Sequence, residues 1–430
     1  MLESIIKTFS KKEKNHPNQK VLLTLFVIFL YRFGNAIPLS GIDQDALKQS
    51  FGQLDNRNAI MQIINMYSGA GGNTLLSPFS LGIIPFINAS ILIDLLTALF
   101  PSLEKLQSEE GEIGRRKLLL YKKLVSLVFA IGQSALLIFY LKSYFYSSTF
   151  VTFFLTGLQL VTGSMIIVWL SNIVDNKGVG NGTSIIIFTN ILVGLITKNF
   201  LNFENINSGF ISEILVILFL ILLISISQLS AVTIQVVSAR QLTFLNAQND
   251  KNNSLATESA DEDDNSFLGQ IKNNGLIIKL NQAGIFPIII ASNLVPFLSY
   301  FMQILPQGFN ISYINNLIYY LLIIGFNYFY TIVFWDPDKI AEQLRKSSVS
   351  LVNITPGKDT AIHLEKIVRV TSLLGGLFLC IILVLYDFIK QIINGPLLNQ
   401  LNISSLIILV GVAYDLQRVI RGLYKNLVFT

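Results

Sequence analysis

The chain is poor in the groups that most soluble chemistry needs. It has one cysteine and two histidines in 430 residues. A single thiol, Cys380, excludes a disulfide framework and a thiolate metal site. Its apolar neighbours make it a small core or lipid-facing residue. His16 and His363 lack a metal-ligating partner at helical spacing and read as solvated surface residues. No cofactor and no metal is expected. Charge is scarce too: 13% of the residues are Asp, Glu, Lys or Arg, against about 25% in ordinary soluble domains. The glycine-rich GVGNGTS at 178–184 lacks the lysine and the strand-to-helix context of a phosphate-binding loop. It reads as a turn that opens a span.

What the chain has is apolar length. Hydrophobic residues make up 52% of it, in long runs, and the class is a polytopic α-helical membrane protein. Ten spans can be placed, at about 21–39, 75–99, 118–141, 151–173, 183–199, 211–236, 283–304, 314–335, 369–389 and 403–421. The first resembles a signal peptide but continues to about Pro38 without a small-residue cleavage site, so it is read as a retained span. The net charge of +5 raises the question of nucleic acid, but the basic residues lie between spans. With span-end residues given to the adjoining segment, 25 of the 31 Lys and Arg fall on one side and 5 on the other, with Arg32 inside span one. That asymmetry places both termini on the cytosolic or stromal side.

The expected organisation is a terminal segment, 1–20, a five-span half, 21–204, a second five-span half, 205–421, and a tail, 422–430. An odd number of spans per half makes the halves inverted, which puts a functional site between them. Two loops on the basic side are long. One, 237–282, contains ATESADEDDNS and reads as polar and flexible; the other, 336–368, contains WDPDKIAEQLRKSS. Long loops on one face usually dock a partner. In the first half, Ala59 to Met66 is apolar but too short to cross. It is followed by Gly69, Gly71 and Gly72, then by an apolar run from about Leu75 to Leu99 that is long enough to cross. A half-helix beside a full one suggests a chamber, since non-spanning backbone at membrane depth needs protein or water around it.

Ionisable groups inside spans are few. Arg32, Asp94, Asp387 and Asp415 all lie near span ends, where snorkelling to the interface is open to them. A proton- or ion-coupled transporter needs charge at the midplane. An intramembrane protease or transferase needs paired acids, or a Ser/His or His/Glu set, at depth. Neither pattern is present. Midplane polarity comes from Asn88, Ser90, Gln133 and Asn293, which serve either as interhelical glue or as a seam that opens. Ile83 and Ile87 flank Pro85, Ile187 follows GVGNG, Ile289 follows Pro287 and Ile408 precedes Gly411. These are either core and lipid-facing residues or a hydrophobic constriction that excludes water.

Five stretches, YRFGNAIPLSGID (31–43), SLGIIPFINASILIDLLT (80–97), EKLQSEEGEIGRRKL (104–118), GVGNGTSIIIF (178–188) and KLNQAGIFPIIIAS (279–292), resemble the SecY family of protein-translocation channels in order and spacing. The resemblance implies an all-α fold of ten transmembrane helices in two pseudo-symmetric inverted halves around a pore. It implies no catalysis. It assigns a pore ring to Ile83, Ile87, Thr183, Ile187, Ile289 and Ile408, and a plug to 57–67, including Arg57, Ile60, Ile63, Ile64 and Tyr67. The plug hinge is Gly69, Gly71 and Gly72, and the lateral gate carries Asn88, Gln133 and Asn293. Thr183 departs from the usual aliphatic ring residue, so the ring is locally more polar or the alignment is shifted there.

The implied partners are a SecE-like and a SecG-like subunit, the SecA motor or the ribosome, preproteins, and lipid at the gate. Two departures bear on docking. Thr355 stands where the family carries an arginine before Pro-Gly, and the tip of the first long loop carries Asp261, Glu262, Asp263 and Asp264 in place of basic residues. Lys339, Arg345, Lys346 and Lys358 remain as basic docking candidates. The 80–118 region and the Ile, Asn and Lys content look most like cyanobacterial and plastid versions. A thylakoid membrane is favoured, with a bacterial inner membrane as the alternative.

Overall fold

The computed structural model describes residues 17–47, 76–108, 111–147, 149–199, 208–238, 275–281, 286–292, 311–351, 354–393 and 403–428, with a few single positions between them. The elements run α1 (Pro17–Asn35), α2 (Ile84–Leu99), α3 (Pro101–Ser108), α4 (Gly111–Leu141), α5 (Phe150–Lys177), α6 (Gly182–Asn199) and α7 (Ser208–Leu229). Strands β1 (Ala231–Ser238) and β2 (Gly275–Lys279) follow, then α8 (Ile311–Phe334), α9 (Pro337–Lys346), β3 (Val349–Leu351), α10 (Lys358–Ile393) and α11 (Ile403–Val428). Residues 286–292 are also helical. Among the described residues six helices are long and apolar enough to cross a membrane, with shorter apolar helices at Ile84–Thr97 and Gly182–Gly194. The ten expected spans are therefore not all seen at full length, and the seventh, 283–304, lies partly outside the described residues.

Span two differs from expectation in an informative way. Its helix begins at Ile84 rather than near Leu75, and 76–83 is turn backbone. Serine side chains capture backbone groups that a helix would use. Ser77 N–H donates to Ser80 Oγ at 2.8 Å, and Phe79 N–H donates to Ser77 Oγ at 3.2 Å. Gly82 then takes φ +59°, and Pro85 starts the helix where its missing N–H is harmless. The resulting helix is about 24 Å long at 1.5 Å per residue.

Span six also ends early. It was expected to run to 236, but α7 stops at Leu229 and Ala231–Ser238 is a strand. Val232, Thr233, Ile234, Val236 and Val237 are β-branched and suit a pleated surface better than a helix. Parts of the two long loops thus form regular structure. β2 comes from the first, α9 and β3 come from the second, and the antiparallel sheet has the order β2-β1-β3. Thr233 pairs with Ile277, and Val237 with Ser350. Ile278, Leu351, Leu364 and Val368 are buried under this sheet, with Ile234, Val236, Ile340 and Leu344 packed against them. The inward-facing alternation of 234/236 and 276/278 gives the sheet one apolar face, and α9 and the start of α10 cover it.

The 36 residues of α10 make about 54 Å of helix, well beyond a ~30 Å hydrocarbon core. Its exposed apolar residues run from Val370 to Ile392, with Ile362 alone before them. The charged first turns therefore project past the apolar stripe.

Contacts divide the chain into two units. The first comprises 1–216, 293–308 and 392–430; the second comprises 217–292 and 309–391. In the first, α4 packs on α2, α3 and α5, α5 packs on α1 and α6, and α6 packs on α11. One core joins Leu39, Ile42, Leu47, Leu76, Leu81, Leu137, Leu141 and Leu160. A second joins Val27, Leu170, Val174 and Ile185, with Leu416 against it. In the second unit, Asn327 Nδ2 on α8 donates to the Ser372 carbonyl of α10 at 2.6 Å. The halves 21–204 and 205–421 are a division by span topology, distinct from these contact units, and belong to the proposed reading.

Candidate functional site

The 76–83 turn is held from several sides. Leu39 N–H donates to the Leu76 carbonyl at 2.7 Å. Gln44 Oε1 accepts Leu76 N–H at 3.0 Å, and Gln44 Nε2 donates to the Leu76 carbonyl at 3.2 Å. Ser77 Oγ donates to Asn35 Oδ1 at 3.2 Å. Phe79 stacks on Tyr31, with ring centroids 6.3 Å apart. On α5, Ser164 Oγ donates to the Gly82 carbonyl at 3.1 Å. A Cβ at Gly163 would overlap the Pro78 carbonyl, so only glycine lets α5 approach this turn. Ile83 closes it as the N-cap of α2, and its carbonyl accepts Phe86 and Ile87 N–H groups at 3.1 Å each.

The expected ring residues lie on several elements. Ile83 and Ile87 are buried at the start of α2, and Ile408 is buried on α11. Thr183 and Ile187 are half-buried, one turn apart on α6. The GVGNG turn before them is consumed by its own wiring. Val179 N–H donates to Thr24 Oγ1 at 3.1 Å, and Gly182 N–H to Asp175 Oδ1 at 2.7 Å. Thr183 N–H and Oγ1–H both donate to Asn181 Oδ1, at 3.0 and 2.5 Å. Backbone donors spent in this way are not open to a phosphate. Since α6 packs on α11, the first unit brings 183 and 187 onto a helix adjoining that of 408. Ile289 is half-buried on the 286–292 helix of the second unit.

Of the gate residues, Asn88 is half-buried on α2. Gln133 is 5% exposed on α4, and its Oε1 has no hydrogen-bond partner among the described residues. These two sit on helices that pack together. Asn293 lies outside the described residues, as do the plug 57–67 and the glycines 69, 71 and 72.

The basic candidates lie on the second unit. Asp336 caps α9, accepting Asp338 and Lys339 N–H at 3.2 and 3.4 Å, and it pairs with Lys339 Nζ at 3.1 Å. Lys346 Nζ pairs with Glu342 Oε1 at 3.0 Å. The hydrogen bond and charge of Lys346 hold the Glu342 carboxyl below its ordinary range. Arg345 on α9 and Lys358 at the start of α10 have no salt bridge among the described residues. Thr355 does local work instead of carrying charge: its hydroxyl donates to Asp359, and its carbonyl accepts Thr360 Oγ1–H at 2.8 Å.

Four features escaped sequence reasoning. The Gln44 anchor joins residues distant in the chain, and no local signal announces it. Asp94 is not a free snorkelling acid, because its Oδ1 pairs with Lys122 Nζ at 2.8 Å between α2 and α4. Asp387 likewise accepts Tyr320 O–H at 2.7 Å. Glu213 is 3% exposed and accepts Leu398 N–H at 3.1 Å. Its position at the edge of span six concealed it as an intramembrane acid.

The chain is similar along most of its length to proteins of one family. The SecY family profile matches residues 77–417. The SecY protein translocase subunit of Pyropia yezoensis is 36% identical over 418 residues, covering 94% of this chain and 95% of that one. The corresponding subunit of Porphyra purpurea is 35% identical over the same coverage. Among solved structures, a protein-conducting channel shares the fold at a TM-score of 0.63 and 16% identity, over 95% of this chain and 92% of that one. A SecY structure whose plug domain stabilises the closed state aligns over the same shares at 0.57 and 17% identity. Sec61 from a canine ribosome-channel complex does so at 0.58 and 16%. With apolar helices of spanning length and a family match that runs from the turn before α2 into α11, this multi-pass membrane protein belongs to the SecY family of protein translocase subunits.

Proposed function

We propose that the chain is the passive protein-conducting pore of a Sec translocase, passing unfolded preproteins across the membrane and releasing apolar segments sideways into lipid. The observation that carries this reading is the family match over 77–417, because that interval contains every ring position from Ile83 to Ile408. A ring of Ile83, Ile87, Thr183, Ile187, Ile289 and Ile408 is uncharged, and an aliphatic collar resists ions by dewetting while yielding to a chain. Residues 57–67 act as the plug, and Gly69, Gly71 and Gly72 as its hinge. The related SecY structure in which a plug domain maintains a membrane seal supports this assignment. Asn88, Gln133 and Asn293 form the gate seam. Interhelical polar contacts of this kind average about 0.6 kcal/mol, which makes the seam cheap to part.

The chain does no catalysis, so energy comes from a partner on the cytosolic or stromal face, either SecA or a ribosome. A SecE-like subunit clamps the two five-span halves, and a SecG-like subunit completes the complex. Lys339, Arg345, Lys346 and Lys358 supply the docking charge. Both termini face that side, and the membrane is a thylakoid. Kinship with red-algal relatives supports a plastid, and a bacterial inner membrane is the alternative.

The test is site-specific photo-crosslinking of a stalled, signal-bearing chain. Labelling at 83, 87 and 289 is expected. Absence of labelling at every ring and gate position would overturn the channel reading.

A further inference from the structure

The second unit contains a direct physical link between its sheet and the helix that carries Ile289. β2 ends at Lys279, and helical backbone begins at 286. Leu280 and Asn281, which follow β2, are each fastened. Leu280 N–H extends the ladder beyond β2, donating to the Ser230 carbonyl at 2.9 Å. The Leu280 carbonyl lies against Gly375 of α10, where a Cβ would overlap it. Asn281 is 2% exposed, and its Nδ2 donates to the Gly284 carbonyl at 3.0 Å, closing a turn in which Gly284 takes φ +65°. Beyond the turn, Phe286 stacks on Tyr330 of α8 with centroids 5.2 Å apart, while Ile288 and Ala291 are fully buried. Burying an amide is unfavourable unless its hydrogen bonds are made; at Asn281 the Nδ2 bond to Gly284 is made, while Oδ1 is buried without a partner among the described residues.

On its other side the same strand is tied to α9. Ile278, two residues before Leu280, is buried with Leu351, Leu364 and Val368, and Ile340 and Leu344 of α9 pack on that cluster. Displacement of α9 therefore reaches β2 through close-packed side chains, which transmit strain rather than absorb it. We propose that Asn281 is a positioning residue that fixes the Ile289 helix to the sheet, so that movement of α9 and the sheet reaches the pore-lining position without slack. That Ile289 lines a pore and that α9 receives a partner rest on the reading proposed above. The rigid link itself does not.

The test uses the full chain in lipid nanodiscs, in a Cys380→Ala background, with spin labels at positions 277 and 289. Ile277 is 60% exposed, so its label leaves the core intact. One narrow distance population is expected with Asn281. Asn281→Ala and Asn281→Asp each remove the donor to Gly284 and should broaden it. Gly375→Ala, which pushes on Leu280 without removing a polar group, should shift the mean distance, and it carries the test if the Asn281 variants do not fold. Gly376→Ala, whose Cβ meets Ile324 and Asn327 of α8 instead, should leave the distance unchanged.

Unchanged distributions in the Asn281 variants, or in Gly375→Ala where those do not fold, would overturn the proposal, as would an equal response to Gly376→Ala. A functional arm adds Leu344→Ala, which loosens α9 on the sheet. It should alter stalled-chain crosslinking at 289 when Asn281 is present and have no effect in Asn281→Ala. The same effect of Leu344→Ala in both backgrounds would overturn the coupling. Absence of crosslinks at all ring and gate positions in the unmodified chain would defeat the channel reading alone, and the spin distances would still judge the link.

Discussion

Replacing Gln44 tests whether the turn before α2 is a built anchor. Gln44 makes two bonds to the backbone of Leu76, at 3.0 and 3.2 Å. Leu76 is 1% exposed, so water does not replace a lost partner there. In Gln44→Ala the Leu76 carbonyl keeps Leu39 N–H at 2.7 Å, but the Leu76 N–H loses its acceptor. A buried donor left without a partner costs about 1–3 kcal/mol. Taking ~2 kcal/mol, opening of the turn becomes ~30-fold more frequent, since 1.4 kcal/mol is a factor of ten. Hydrogen exchange on the full chain reads this opening directly. The Ser80 and Gly82 amides, bonded to the Ser77 and Phe79 carbonyls at 3.0 and 2.9 Å, should lose protection by about that factor, whereas amides within α8 should not. Gln44→Met keeps most of the packing and removes both bonds, so it should lose nearly as much protection as alanine. If methionine retains full protection, packing rather than hydrogen bonding holds the turn, and the reasoning is refuted.

Three further perturbations probe other parts of the chain. The Asp94–Lys122 pair is about one quarter exposed on each side (27% and 25%). Lys122→Gln strands a carboxylate among apolar helices, whereas Asp94→Asn leaves an ammonium on a long stem that reaches water. Lys122→Gln should therefore lower thermal stability in detergent more, by about 1–2 kcal/mol after allowing for partial exposure, and equal shifts would contradict this. Neutralising Lys339, Arg345, Lys346 and Lys358 together should weaken capture of ribosomes or SecA in a pull-down, and the deficit should shrink at high salt; unchanged binding would remove these residues from docking. Deleting 57–67 should raise ion leak in a planar-bilayer recording, and an unaltered leak would mean that these residues are not the seal.

Some of this was decided by sequence alone. The length and spacing of the apolar runs settle the membrane class, because a bilayer demands long stretches of internally bonded backbone. Five ordered motifs were enough to identify the family. They also placed Ile87 and Ile187 on helices, since helix formation over such runs is a local property, whereas Ile83 proves to be the last residue of the turn before α2. Where competition was local but subtle, the reading erred. Ser77 and Ser80 take hydrogen bonds from the backbone and delay α2 to Ile84, and the β-branched run after Leu229 becomes β1 because two distant strands are present to pair with it.

Contacts between residues far apart in the chain were decided only by the tertiary structure. It placed Gln44 on Leu76, Lys122 on Asp94, and the Leu280 carbonyl against Gly375. It also joined the end of the expected span six to pieces of the two long loops in one sheet under α9. Each depends on which side chains the packing brings within reach, a relation that composition and local pattern do not encode. The physical reason is range: hydropathy and propensity act over a few residues, whereas a hydrogen bond or a packed core is indifferent to how much chain lies between its partners.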